Sequence, residues 1–243
     1  MQASKADIIQ QLQQQIFPLQ GLKHTPAAAA PKFGLGPIEH AFPNHCFPTG
    51  AIHEFICDDL PGTAASGGFI AGLLGVLMKD NGASLWISSS RTLFPPALSS
   101  FGLSPDRLIF IDVKNEKHLP WVLEEALKCN GLSAVVGEIK EMSFTASRRL
   151  QLAVEQSRVT GFLLRQQPKC LATTACVARW KINSLISEVD QDLPGIGFPR
   201  WKVDLLKIRN GKPGSWEVSW IQNQFRFTPV ITAIPAILKR KAG

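Results

Sequence analysis

Short apolar segments that alternate with helical patterns run through residues 51–165, and they constrain the fold more than any other feature of the sequence. The segments are apolar on both faces, which is typical of strands buried inside a parallel sheet. Between them, apolar residues recur at helical spacing. This alternation predicts an α/β fold, in which a mostly parallel sheet carries helices on both faces. The predicted strands are residues 51–57, 84–88, 107–113, 132–139 and 160–165, and the predicted helices are residues 69–78, 95–101, 119–128 and 145–158.

The C-terminal part of the sheet is expected to differ from the rest. Residues 175–182 have the pattern of a further strand. Residues 201–209 and 215–220 flank the turn sequence Asn-Gly-Lys-Pro-Gly, which predicts a β-hairpin. The sequence therefore predicts an antiparallel C-terminal hairpin at one edge of the sheet.

Changes in composition divide the chain into four predicted segments. Residues 1–17 form an N-terminal helix and residues 18–45 a linker rich in proline and alanine. Residues 46–222 form the core domain, and residues 223–243 form a basic C-terminal tail. The N-terminal helix docks either on the body of the protein or on a partner. The tail either folds on a partner or stays disordered.

Positive charge is concentrated in the last two-fifths of the chain. The formal net charge is +7 overall, but residues 1–140 contribute −2 and residues 141–243 contribute +9. Such an asymmetry indicates a surface for a polyanion or for an acidic partner. The alternative is a basic surface that only keeps the protein soluble.

Cysteine and histidine patterns exclude several classes of site. The five cysteines contain no Cys-x-x-Cys pair, which favours a reducing compartment over a disulfide framework. One group of histidines and cysteines has residue types that suit zinc: His40, His45, Cys46, His53 and Cys57. Their spacing matches no common structural zinc site, so no metal is predicted. The N-terminus lacks a signal-peptide pattern and the longest apolar run, over residues 69–78, is too short to span a bilayer, so a cytoplasmic protein without membrane contact is expected.

A glycine-rich segment follows the first predicted strand, at the place where a phosphate-binding loop would lie. Gly62 and Gly67 fit the frame of the P-loop motif G-x-x-x-x-G-K-[ST]. Gly68 and Phe69, however, stand where the lysine and the hydroxyl residue are required. The sequence therefore predicts a degenerate P-loop that binds no cofactor and supports no catalysis. Glu138, at the end of the fourth predicted strand, takes the position of the acid that would hold Mg²⁺.

Several motifs make a family resemblance specific over about residues 45–222. They are residues 47–54 (FPTGAIHE), 145–153 (TASRRLQLA), 199–201 (PRW) and 213–218 (PGSWEV). With these motifs the chain resembles the ImuA-type accessory proteins of inducible mutagenesis, which are related to RecA and to the cell-division inhibitor SulA. The resemblance implies a RecA-like core with Glu138 at the Walker B position. It also places Ser90 where RecA has its catalytic glutamate, and it places short versions of the two DNA-contacting loops near residues 139–144 and 166–174.

The resemblance also implies a function. The family works in the SOS response with ImuB, a polymerase-like protein that lacks catalytic residues, and with an error-prone DnaE-type polymerase. We therefore expect a non-catalytic adaptor for error-prone translesion DNA synthesis, with RecA or DNA as further partners. Its expected location is cytoplasmic, and nucleoid-associated after DNA damage. The alternatives are a SulA-like inhibitor of cell division and an active RecA-like ATPase.

Three basic groups are candidate surfaces for a partner or for DNA. Arg148 and Arg149 begin the fourth predicted helix, where cations oppose the helix dipole, so they either bind an anion or are simply solvated. The second group, Arg200 and Lys202, belongs to a series of basic residues interleaved with tryptophans. That series either stacks on single-stranded DNA or places its tryptophans in the core and its cations outside. The third group is Lys239, Arg240 and Lys241 in the tail.

Overall fold

The structure is a computed structural model, and it describes residues 31–79, 82–90, 93–187 and 197–227. The predicted N-terminal helix over residues 1–17 lies outside the described residues. Lys239, Arg240 and Lys241 of the predicted tail lie outside them as well.

Within the described residues, nine strands form one mixed sheet. They are β1 Ile52–Cys57, β2 Ala83–Ser88, β3 Leu108–Asp112, β4 Leu132–Ile139, β5 Thr160–Gln166, β6 Ala178–Ser184, β7 Arg200–Ile208, β8 Gly214–Ile221 and β9 Gln224–Phe227. Their order in the sheet is β3-β2-β4-β5-β1-β6-β7-β8-β9. The strands from β3 to β6 in this order run parallel, and β6 to β9 pair antiparallel. The predicted α/β class, the mostly parallel sheet and the antiparallel C-terminal hairpin are confirmed.

Helices cover the parallel strands on both faces of the sheet, as predicted. They are α1 Leu60–Leu77, α2 Leu119–Leu127 and α3 Phe144–Ser157. The core on the α1 face includes Phe55 and Phe162, and the core on the α2 and α3 face includes Ile52 and Leu163. Because successive side chains of a strand point to opposite faces, β1 and β5 contribute to both cores. The predicted helix over residues 95–101 is a 3-10 helix, Pro95–Phe101.

Residues on both sides of the predicted core domain take part in the packing. Phe33, Leu35 and Ile38, inside the segment predicted as a linker, are buried in the core on the α1 face. After β8, Gln222 and Asn223 form a two-residue turn with positive φ angles, and β9 returns along β8. The predicted boundaries of the core domain stay predictions, but residues 33–45 and 224–227 belong to the same packed body.

The predicted loop conformation of residues 61–68, the degenerate P-loop, is wrong, because these residues are part of α1. Proline at the start of the helix and an aspartate before it support an early helix start. The glycines serve close packing instead of phosphate binding. A Cβ atom at Gly68 would lie 2.9 Å from the ring of Phe101, and one at Gly72 would lie 2.7 Å from the ring of Phe225.

The composition of α1 reflects its position inside the fold. By length and composition it is apolar enough to cross a bilayer, a test that buried core helices also pass. Eleven of its residues are buried in this structure. The helix therefore serves here as the central core element on one face of the sheet.

Candidate functional site

Ligands of open α/β sheets bind at the carboxyl edge, where the parallel strands end. The N-terminus of α1 lies at this edge, directly after β1. The Asp59 carboxylate accepts a hydrogen bond of 2.7 Å from the backbone N–H of Gly62. Its neighbour Asp58 forms an ion pair with Lys181 of β6. A helix N-terminus attracts phosphate through its free N–H groups and positive dipole end. Here aspartate side chains take the place of such an anion and repel a second one.

None of the residues of the predicted loop forms a ligand cradle. Gly62, Gly67 and Gly68 are buried along α1. Phe69 is fully buried, and its ring contacts those of Trp180 and Trp201 at centroid distances of 6.0 Å. The segment therefore contributes to the core and presents neither a backbone nest nor a metal ligand at the edge.

Glu138 lies at the end of β4, as predicted, and is engaged by protein donors. One of its carboxylate oxygens accepts a hydrogen bond of 2.7 Å from Trp86 Nε1, and the other accepts one of 2.9 Å from Gln166 Nε2. Trp86 belongs to β2 and Gln166 to β5, so the carboxylate links three adjacent strands. Ser90, which follows β2, is exposed.

A buried ion cluster on the other face of the sheet was not predicted. Glu54 in β1 and Arg165 in β5 are both fully buried, and their charged atoms lie 2.8 Å apart. The second oxygen of Glu54 accepts hydrogen bonds from Arg179 Nε at 2.7 Å and from Thr174 Oγ1 at 3.0 Å. Burial, together with the charge of Glu54, raises the pKa of the nearby Cys176 thiol to about 12. The signal in the sequence is a charged residue inside each of three predicted strands, Glu54, Arg165 and Arg179.

The cluster also fixes the loop after β4 and the loop after β5. Arg165 donates to the Cys170 carbonyl at 3.2 Å and pairs with Glu141 at 3.3 Å. Glu141 in turn accepts a hydrogen bond of 2.8 Å from the backbone N–H of Lys169. The loop after β4 and the loop after β5 are therefore tied to each other and to the buried cluster.

His53 is a neutral residue of the core and faces away from the ion cluster. Its Nε2 donates to the Pro48 carbonyl at 2.7 Å, and its Nδ1 accepts from Trp180 Nε1 at 3.3 Å. Its ring stacks on that of Phe47 at 4.4 Å. Burial lowers the pKa of His53 to about 4, although the hydrogen bond to Pro48 opposes this shift. Across the described residues, no group of three or more metal-ligating side chains comes together.

The predicted basic residues lie on two different elements. On α3, Arg149 pairs with Glu124 of α2 at 2.6 Å, and Arg148 lies 4.0 Å from Glu155. On β7, Arg200 pairs with Glu217 of β8 at 2.8 Å, and Lys202 is exposed with Asp204 at 3.9 Å. The structure therefore brings Arg200 and Lys202 together on one strand but places Arg148 and Arg149 elsewhere.

The tryptophans of the C-terminal strands face the core. Trp180, Trp201 and Trp220 are buried, and Trp216 packs against the same core while partly buried. The indole N–H of Trp220 donates to the Ser100 carbonyl at 2.9 Å. The inward orientation that strand alternation predicts is confirmed, so these three buried rings form no platform for stacked bases.

Exposed apolar side chains follow the carboxyl edge from β2 to β7. Five of them come after a parallel strand, and the sixth precedes the antiparallel strand β7. They are Leu60, Phe94, Phe144, Leu171, Ile186 and Phe198, with exposed fractions between 51% and 91%. The strands beside them span roughly 24 Å, at five spacings of about 4.8 Å. Exposed apolar side chains grouped at one edge of a sheet are candidates for a protein-binding site. We call these six residues the apolar edge.

Comparison with known proteins identifies the family. The chain is 34% identical over 197 residues to Protein ImuA of Caulobacter vibrioides strain NA1000. The matched region covers 76% of this chain and 80% of that protein. It matches Protein ImuA of Caulobacter vibrioides strain CB 15 to the same extent. The chain belongs to the ImuA family. No family model matches this ImuA-family chain.

We predict that the buried cluster dominates the stability of this ImuA-family chain. Glu54→Gln should lower the free energy of unfolding by about 3–5 kcal/mol, because the fully buried Arg165 then loses its buried charge partner and retains the exposed Glu141. The matched control Glu124→Gln removes the ion pairs with the exposed cations Arg149 and Lys128, and should cost less than about 1 kcal/mol because both cations remain solvated. Urea unfolding measures both variants. Equal effects of the two substitutions would contradict the assigned role of the cluster.

We further predict that His53 makes stability depend on pH. Because its folded pKa of about 4 lies below the unfolded value of 6.5, the unfolded state binds more protons between these pH values. The free energy of unfolding should therefore fall by about 2 kcal/mol between pH 7.5 and pH 5 through this residue alone. Urea unfolding at both pH values measures the change. His53→Gln should remove this part of the pH dependence, whereas the exposed control His118→Gln should retain it.

Proposed function

We propose that this ImuA-family protein is a non-catalytic adaptor in SOS-induced error-prone translesion DNA synthesis. The observation that carries the proposal is the N-terminus of α1, where Asp59 caps a helix that replaces the phosphate loop. An ATPase of this architecture needs free N–H groups, a lysine and a hydroxyl at this place. Asp59, Gly68 and Phe69 supply none of these. The family is connected with mutagenesis, and the described carboxyl edge of the sheet in this chain lacks phosphate ligands. Together these two features favour recruitment of other proteins over nucleotide hydrolysis.

The proposed partners are an ImuB-like protein and an error-prone DnaE-type polymerase, with RecA or DNA as further partners. The apolar edge supports protein partners, because it offers exposed aromatic and aliphatic side chains at the ligand end of the sheet. Arg200 and Lys202 supply positive charge on β7, and Arg148 and Arg149 supply it on α3. We place this work in the cytoplasm, at the nucleoid after DNA damage. Such an adaptor needs neither a cofactor nor a metal.

We expect the protein to bind no Mg-ATP and to show no ATP turnover, with and without DNA. Glu138→Gln should leave this baseline unchanged, because the carboxylate accepts hydrogen bonds from Trp86 and Gln166 and links three strands. Gly68→Lys combined with Phe69→Thr should create no binding and should cost about 3–5 kcal/mol of stability, since Phe69 is a core residue. Fluorescent nucleotide titration, phosphate release and urea unfolding measure these effects. Turnover by the natural protein that Glu138→Gln abolishes would support the ATPase alternative.

We expect the apolar edge to carry the contact with the ImuB-like protein. Leu60→Asp and Phe144→Asp place an acid at the first position of α1 and α3, where it favours the helix dipole, so the fold should persist. Combined, they should reduce co-purification of the ImuB-like protein by about tenfold or more. The control Leu206→Asp changes an exposed leucine of β7 outside the edge and should bind normally.

A truncation after Phe227 completes this experiment. It keeps β9 and removes the tail with Lys239, Arg240 and Lys241, so it separates the tail from the sheet. Retained binding by the truncation assigns the contact to residues 1–227. Failure of the unmodified protein to bind the ImuB-like protein would refute the adaptor proposal. Filamentation of cells on overexpression without a change in mutation frequency would favour the SulA-like alternative.

A further inference from the structure

A groove on the α1 face of the sheet has no role in the function proposed above. It has a volume of about 640 Å³ and lies between the C-terminal half of α1, the segment 101–107 and the turn between β8 and β9. Phe33, Leu103 and Phe225 supply apolar lining, and Gly75 leaves the backbone of α1 uncovered by a side chain. Its volume falls within the range of pockets that bury a ligand.

All the charged residues that line the groove are cations. They are Lys32, Lys79 and Arg107, and the described lining contains no aspartate or glutamate. Arg107 donates through its Nη2 atom to the Met78 carbonyl and, at 2.8 Å, to the Gly82 carbonyl, which fixes the guanidinium beside the groove. Its Nε atom is buried without a hydrogen-bond partner among the described residues. Three cations around an apolar pocket fit a ligand that combines negative charge with an apolar side chain.

Neither end of this chain has matching charge. Residues 1–30 contain two lysines and one aspartate, and residues 228–243 contain three cations and no acid. Either segment would bring positive charge to a positive groove. A polynucleotide also fits poorly, because it needs a row of cations along its backbone, and here the cations surround an apolar pocket.

We propose that the groove docks an acidic segment of a partner protein, with one or two apolar side chains inserted beside α1. Carboxylates of the segment pair with Lys32, Lys79 and Arg107. Its apolar anchor packs over Gly75, where an added Cβ atom would meet only the Phe101 carbonyl, at 3.5 Å. This contact is separate from the apolar edge, so its test is independent of the test of the proposed function.

The probe is a fluorescein-labelled peptide, EDLFDELEDLFD, titrated against the full-length protein by fluorescence anisotropy. Lys79→Glu reverses one charge of the lining, and Gly75→Leu fills the groove. Each should weaken binding by about tenfold or more, while Lys212→Glu, an exposed cation outside the groove, should change it less than about twofold. A peptide with serine in place of each leucine and phenylalanine should bind about tenfold more weakly or worse.

Three outcomes would overturn the proposal. Equal binding by the natural protein, Lys79→Glu and Gly75→Leu would mean that the peptide binds elsewhere. Equal binding of the serine peptide would reduce the interaction to nonspecific charge. Loss of binding of a labelled dT12 oligonucleotide in the same two variants, with the peptide unaffected, would assign the groove to nucleic acid. Thermal unfolding of Lys79→Glu and Gly75→Leu verifies that both variants are folded.

Discussion

The pairing of one buried carboxylate with two arginines is the interaction on which the rest of the structure depends. Glu54 lies in β1 between Arg165 of β5 and Arg179 of β6, and it accepts hydrogen bonds from both. Removing Glu54 takes away the buried counter-charge of the fully buried Arg165, which is far costlier than losing an exposed ion pair. The cluster therefore fixes which strands are neighbours at the centre of the sheet. Through Arg165 and Glu141 it also fixes the loops at the carboxyl edge.

The carboxyl edge of the sheet differs from that of a nucleotide-binding protein because its polar groups bond to other parts of the fold. The strand order leaves the edge in the usual place for a ligand, yet the groups that would bind phosphate are already used within the fold. Asp59 caps α1, and Glu138 accepts from Trp86 and Gln166. Glu138, the acid that the sequence motif connects with catalysis, thus has structural partners. What the edge still offers to other molecules is apolar surface.

The strands were predictable because burial on both faces leaves a continuous apolar run, and β4 has the predicted bounds, Leu132–Ile139. The helical conformation of the segment 61–68 was not predictable, because glycine and alanine are compatible both with a loop and with a helix packed closely on aromatic rings. Only the positions of Phe101 and Trp201 beside Gly68 decide between the two. The ion cluster was missed for a related reason. Glu54 and Arg165 are 111 residues apart in sequence, and no local pattern joins them.

The distribution of charge in space differs from its distribution along the chain. Several cations of the basic second part pair with acids of the first part: Arg165 and Arg179 with Glu54, Lys181 with Asp58, and Arg149 with Glu124. Because β6 lies beside β1 in the sheet, distant parts of the sequence neutralise each other there. The net charge of +9 in residues 141–243 therefore overstates the positive surface that a polyanion would meet. Because fewer cations are left unpaired at the surface, the proposed function favours protein partners over direct binding of DNA.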